Sequence, residues 1–175
     1  MRNLFEAAPA TDERLGLLLL PIRLEQFELA EHARGLLRIP RVVALEPGRV
    51  RTPNFLRNAA PMRQAKRLKF PGVPRLVVLY HPMQYPLARA LATRYERAET
   101  WYLRPERSRL DDEAGYMREE LLELDGLAAE RAARTFDGRR DSDLAAATDS
   151  LRERMVELEI ISHKPFVPGA RFGRR

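Results

Sequence analysis

Cysteine is missing from all 175 residues, which excludes disulfides and thiolate metal sites. Its absence fits a reducing compartment. Lysine is nearly missing: only Lys66, Lys69 and Lys164 occur, and arginine carries the remaining positive charge. Histidine is limited to His32, His81 and His163, widely spaced and without an H-E-x-x-H pattern. Neither a metal nor a cofactor is expected. The turn after the first apolar run reads "PIRLEQ" instead of G-x-G-x-x-G. Bulky side chains there would keep the backbone away from a dinucleotide pyrophosphate. G-x-x-x-x-G-K-[ST] is absent, which argues against a P-loop nucleotide hydrolase, and so is the G-x-S-x-G elbow of serine hydrolases. No apolar run approaches the roughly 20 residues that span a bilayer. The longest, at 15–22, is interrupted by Gly16 and Pro21 and follows Asp12 and Glu13, the wrong flank for a signal peptide. A cytoplasmic protein is expected, with peripheral contact to a membrane surface as an option.

What is present is the composition of a folded chain: 45% hydrophobic and 32% charged residues. The net charge of +6 is unevenly spread. No acidic residue lies between Glu46 and Glu96, a stretch holding Arg49, Arg51, Arg57, Arg63, Lys66, Arg67, Lys69, Arg75, Arg89 and Arg94. Residues 96–160 carry 18 acidic and 11 basic side chains, and the tail turns basic again. The acidic run Asp111, Asp112, Glu113, Glu119, Glu120 and Glu123 reads as a solvated helix face.

The pattern along the chain alternates. "LGLLLLPI" at 15–22 has no period of two, as suits a strand buried on both faces. Residues 23–37 have helical spacing and 41–47 read as a second strand. In 53–70, Pro61 interrupts a mixed segment before a short basic helix, "MRQAKRLK". "RLVVLYH" at 75–81 is the clearest strand, followed by a helix at 85–96 with Pro86 in its first turn. Residues 98–105 are β-rich. A helix then opens at Ser108, with Asp111 three residues on as in a capping box, and extends through Phe136. A turn at 136–143 and a last helix to 161 complete the series. The order predicts an α/β fold: a single Rossmann-like domain, with a mostly parallel sheet of four to five strands and helices on both faces. It would span 15–160, between a flexible arm at 1–14 and a basic tail at 161–175.

In such sheets ligands bind beyond the C-terminal strand ends. That rim would gather His81, Gln84, Tyr85, Arg49, Arg51 and Arg104 as ligand-binding candidates. His81 is the candidate general base; alternatively its ring fixes the turn through a backbone hydrogen bond. Gln84 and Tyr85 could likewise face a ligand, or else cap a helix and pack on the sheet. Arg57, Arg63, Lys66, Arg67 and Lys69 form a basic stretch suited to an anionic membrane surface. It could also pair with the acidic helix of the same chain. Nucleic acid ranks lower, because Phe55 and Phe70 are the only aromatics there.

"YHPMQYPLARAL" and "AETWYLRP", within 80–105, resemble a segment of the N-terminal half of bacterial GT-B glycosyltransferases, including the aromatic pair Trp101-Tyr102. The helix at 110–134 followed by "ARTFDG" is similar to the helix before the last strand of that half, so the resemblance spans about 15–137. It implies an acceptor-side binding domain for an anionic, phosphate- or sugar-bearing ligand or a partner chain. The paired-glutamate donor motif of that family has no counterpart here, so catalysis would need another chain. Two other readings stand beside it. One is a non-enzymatic interaction protein using 49–69 for nucleic acid or acidic partners. The other is a small enzyme using His81 as base.

Overall fold

The computed structural model describes residues 14–19, 30–45, 59–95, 98–105 and 118–162. Along them run β1 (Arg14–Leu19), α1 (Ala30–Leu36), β2 (Val42–Leu45), α2 (Ala59–Arg67) and β3 (Val73–Leu79). A 3-10 turn (Pro82–Gln84) then leads into α3 (Tyr85–Arg94), β4 (Glu99–Arg104), α4 (Arg118–Arg131), β5 (Arg134–Asp137) and α5 (Asp141–Ser162). The five strands form one sheet in the order β2-β1-β3-β4-β5. Every neighbouring pair is parallel. The architecture is the expected Rossmann-like α/β fold, with the sheet parallel throughout.

Burial on both faces explains why the strands lack alternation. Leu18, Leu76, Val78, Tyr80, Trp101 and Leu103 point to one face. There they meet Ala33 and Leu36 of α1 and Ala147, Leu151, Met155 and Leu158 of α5. Leu17, Leu19, Val77, Leu79 and Tyr102 point to the other, against Ala65 of α2, Leu87 and Leu91 of α3 and Ala128 of α4. Each such large aliphatic side chain contributes about 1.5–3 kcal/mol on leaving water. Gly16 leaves room where α5 crosses β1. A Cβ there would lie 3.2 Å from Met155 Sδ and 3.5 Å from Val42 Cγ2. Arg41, just before β2, sits at φ 63°, in the left-handed region. Its guanidinium holds the turn by donating to Met155 O at 3.1 Å and Glu159 at 2.9 Å, both on α5.

Two boundaries correct the sequence reading. Pro61 does not interrupt α2 but lies inside its first turn, where an N–H would have no helical partner in any case. The helix expected to continue through Phe136 ends at Arg131, and Arg134–Asp137 is a fifth strand. Its four residues are too few and too exposed to show a period. Pairing with β4 makes it a strand, with Trp101 opposite Arg134 and Arg104 opposite Asp137. Trp101 and Phe136 rings pack at 5.8 Å, and the Arg134 guanidinium covers the Trp101 ring at 4.9 Å.

The expected arm apart from Arg14, the Ser108–Asp111 pattern, the acidic residues 111–113 and the tail from His163 onward lie outside the described residues. Among the described residues no helix is long and apolar enough to cross a membrane.

Candidate functional site

Strand order reverses direction between β1 and β3, which in open parallel sheets opens a crevice at their C-terminal ends. Here Gln84 occupies that position. Its Nε2 donates to Leu19 O at the end of β1, at 2.7 Å. Its Oε1 accepts from Tyr80 N at 2.8 Å and His81 N at 3.0 Å, just past β3. The carboxamide thus satisfies three main-chain groups where the ladder stops, and it is only 7% exposed.

His81 is extended, with φ −140° and ψ 141°, and caps the 3-10 turn. Met83 N–H donates to His81 Nδ1 at 3.2 Å, completing a reciprocal box with Gln84. A neutral ring with a lone pair committed at Nδ1 carries its proton on Nε2. Neither nitrogen then offers a free lone pair, which speaks against general-base chemistry. Tyr85 starts α3 and is buried in the core beside Leu79 and Leu87.

The end of β4 carries a second polar cluster. Asp125 of α4 accepts from Tyr102 Oη at 2.8 Å and from Arg104 Nε at 3.0 Å. Arg104 Nη2 also donates to the second carboxylate oxygen, making a fork. The Asp125 side chain is 4% exposed and that of Arg104 44%. Burial, then the charge of Asp125 and the hydrogen bond to it, push the Tyr102 phenol far above its usual range. The bond to Asp125 holds Arg104 protonated. Arg104 therefore neutralises a buried acid first, and its outer edge alone meets solvent.

Sequence reading missed Asp125, although a signal existed. Asp125 stands four residues after Leu121 and three before Ala128, an acid within an apolar stripe. It also missed His32 and Tyr80, whose rings meet edge-on at 6.5 Å. His32 Nε2 lies 3.0 Å from Leu144 O, so it bears the proton and donates. It also lies 3.0 Å from Thr148 Oγ1. His32 Nδ1 and Tyr80 Oη are buried without a hydrogen-bond partner. Burial lowers the His32 pKa, against the opposing effect of its bond to Leu144.

The basic stretch forms a different kind of surface. α2 docks through Ala65 and leaves Arg63, Lys66 and Arg67 exposed, with Lys69 just beyond its end. Arg89 of α3, which packs against α2, is exposed as well. None of these five joins a hydrogen bond or ion pair through its side chain among the described residues, and the acidic α4 does not neutralise them. Arg94 differs: it donates to Ala65 O and, at 2.8 Å, to Leu68 O, capping the carbonyl end of α2. Arg49, Arg51 and Arg57 lie outside the described residues. Among the described residues no three His, Asp or Glu side chains converge as metal ligands would.

No protein-family model, curated protein or solved structure matches this chain. The glycosyltransferase resemblance thus has no support from comparison.

Proposed function

We propose that this chain is a binding domain whose working surface is the exposed face of α2 and α3, and whose ligand is anionic and bears phosphate groups. One observation carries the reading: Arg63, Lys66, Arg67, Lys69 and Arg89 share a surface on which residues 59–95 supply no carboxylate. Uncompensated cations raise the local potential and draw polyanions to the surface. At the rim the Gln84 carboxamide and the Asp125 carboxylate are spent on internal bonds, so these groups support structure more than chemistry. Under the glycosyltransferase resemblance, the same face would hold an anionic acceptor while another chain supplied the donor and the reaction.

The test is binding of inorganic polyphosphate to wild type and to the Arg63→Gln/Lys66→Gln/Arg67→Gln variant. Wild type should bind, and the variant should lose most of the affinity. Raising salt from about 0.1 M to about 1 M shortens the screening length from about 10 Å to about 3 Å and should abolish binding. Binding that survives high salt, or that ignores the triple substitution, overturns the proposal. The His81 reading predicts instead a ligand whose binding depends on the imidazole, and His81→Ala tests it directly.

A further inference from the structure

Exposed methionines accompany these cations and narrow the ligand class. Among the described residues three large apolar side chains are exposed: Met62 at 39%, Met83 at 45% and Val156 at 54%. Met62 lies in the first turn of α2, and Met83 lies in the 3-10 turn that opens α3. Both helices are crossovers on the same face of a parallel sheet, so both run away from the C-terminal rim. Both methionines therefore lie toward the rim, Met62 on α2 and Met83 in a turn that packs against α3 and α4. The exposed side chains described on α2 are Met62, Arg63, Lys66 and Arg67. Arg89 and Thr93 are exposed on α3.

A lone exposed methionine is ordinary. Two toward the rim of a segment, 59–95, that itself carries no carboxylate form a pattern that a bilayer interface fits. Thioether side chains enter the boundary between headgroups and acyl chains, while guanidinium and ammonium groups stay with the phosphates. Nucleic acid fits less well. Single strands are held by aromatic platforms, and the aromatics at the far ends of α2 and α3 are engaged with each other. Phe70 and Tyr95 meet edge-on at 5.9 Å, and Arg94 covers the Tyr95 ring at 4.9 Å. Duplex phosphates would engage the cations but leave the methionines in water.

We propose that the α2–α3 face docks on an anionic lipid bilayer, with Met62 and Met83 inserted and Arg63, Lys66, Arg67 and Arg89 on headgroup phosphates. This rests on the reading of that face as anion-binding. The experiment is co-sedimentation of the full chain with vesicles of phosphatidylglycerol and phosphatidylcholine, with vesicles of phosphatidylcholine alone, and binding to a short DNA duplex and to inorganic polyphosphate. Vesicles containing phosphatidylglycerol should retain the chain and neutral ones should not. Each cation removed should lower partitioning about fivefold. Met62→Ser/Met83→Ser should lower it about tenfold. Both substitutions lie on exposed positions, and an unchanged circular dichroism spectrum confirms folding. Vesicle binding that ignores the methionine substitutions, or duplex binding tighter than vesicle binding, overturns the lipid inference and leaves the anion-binding reading standing. If neither polyphosphate nor anionic vesicles bind, both fall.

Discussion

At the rim of the sheet, Gln84, Asp125 and Arg104 bond to groups of the same chain; on the α2–α3 face, Arg63, Lys66, Arg67 and Lys69 bond to none among the described residues. Both regions are polar and both were read from sequence as places for a ligand. The difference is what each polar atom touches. Rim groups compensate buried main chain and a buried acid, so they determine stability. Face groups make no such bond among the described residues, which leaves them available to an external partner.

The largest expected effect separates the two regions. Gln84→Leu leaves Leu19 O, Tyr80 N and His81 N without their partner. Each buried unsatisfied group costs about 1–3 kcal/mol, so urea denaturation should show a loss of at least about 3 kcal/mol. A loss below about 1 kcal/mol would mean the rim is open to water and the contrast is wrong.

Asp125→Ala comes next. It strands the buried Tyr102 hydroxyl, while half-exposed Arg104 turns to water. Urea midpoints should report about 2 kcal/mol of destabilisation. Asp125→Asn should recover part of it by keeping an acceptor for the phenol.

Acid should act on the body of the fold and spare the face. Burial holds the folded-state pKa of His32 below its ordinary value. The unfolded chain then binds more protons, so this contribution is complete above about pH 6.5 and is lost as pH falls toward the lowered folded value. Unfolding midpoints at about pH 7.5 and about pH 5.5 should differ in wild type and differ less in His32→Gln.

The smallest stability effect belongs to the face itself. Arg63→Gln/Lys66→Gln/Arg67→Gln should stay within about 0.5 kcal/mol of wild type per site, as exposed substitutions do. The same variant should nonetheless lose most of its anion binding. A marked drop in Tm would place these cations in the fold and would sharpen the boundary between the regions differently.

Much of the fold was legible because it rests on local pattern. β1 and β3 read as continuous apolar runs because both of their faces are covered. α3 was visible from its apolar spacing and Pro86. β5 was not, since Arg134 and Thr135 are exposed on an edge strand and only pairing with β4 defines it. The start of α2 was obscured by Pro61, whose meaning depends on where the helix begins. At the rim, the residue types His81, Gln84, Tyr85 and Arg104 were found, but whether each pointed inward or outward depended on distant partners. Leu19 lies 65 residues from Gln84, and Asp125 lies 21 from Arg104.

The sequence by itself determined the alternation of strands and helices, the absence of thiols and glycine-rich phosphate loops, and a stretch from Glu46 to Glu96 without acid. These are properties of composition and short-range order. Only the tertiary structure decided that Gln84 closes the gap between β1 and β3, that Asp125 consumes Arg104, and that no described side chain of α4 pairs with the cations of α2. Hydrogen bonds and ion pairs act over a few ångströms, and proximity between residues far apart in the chain exists only after folding.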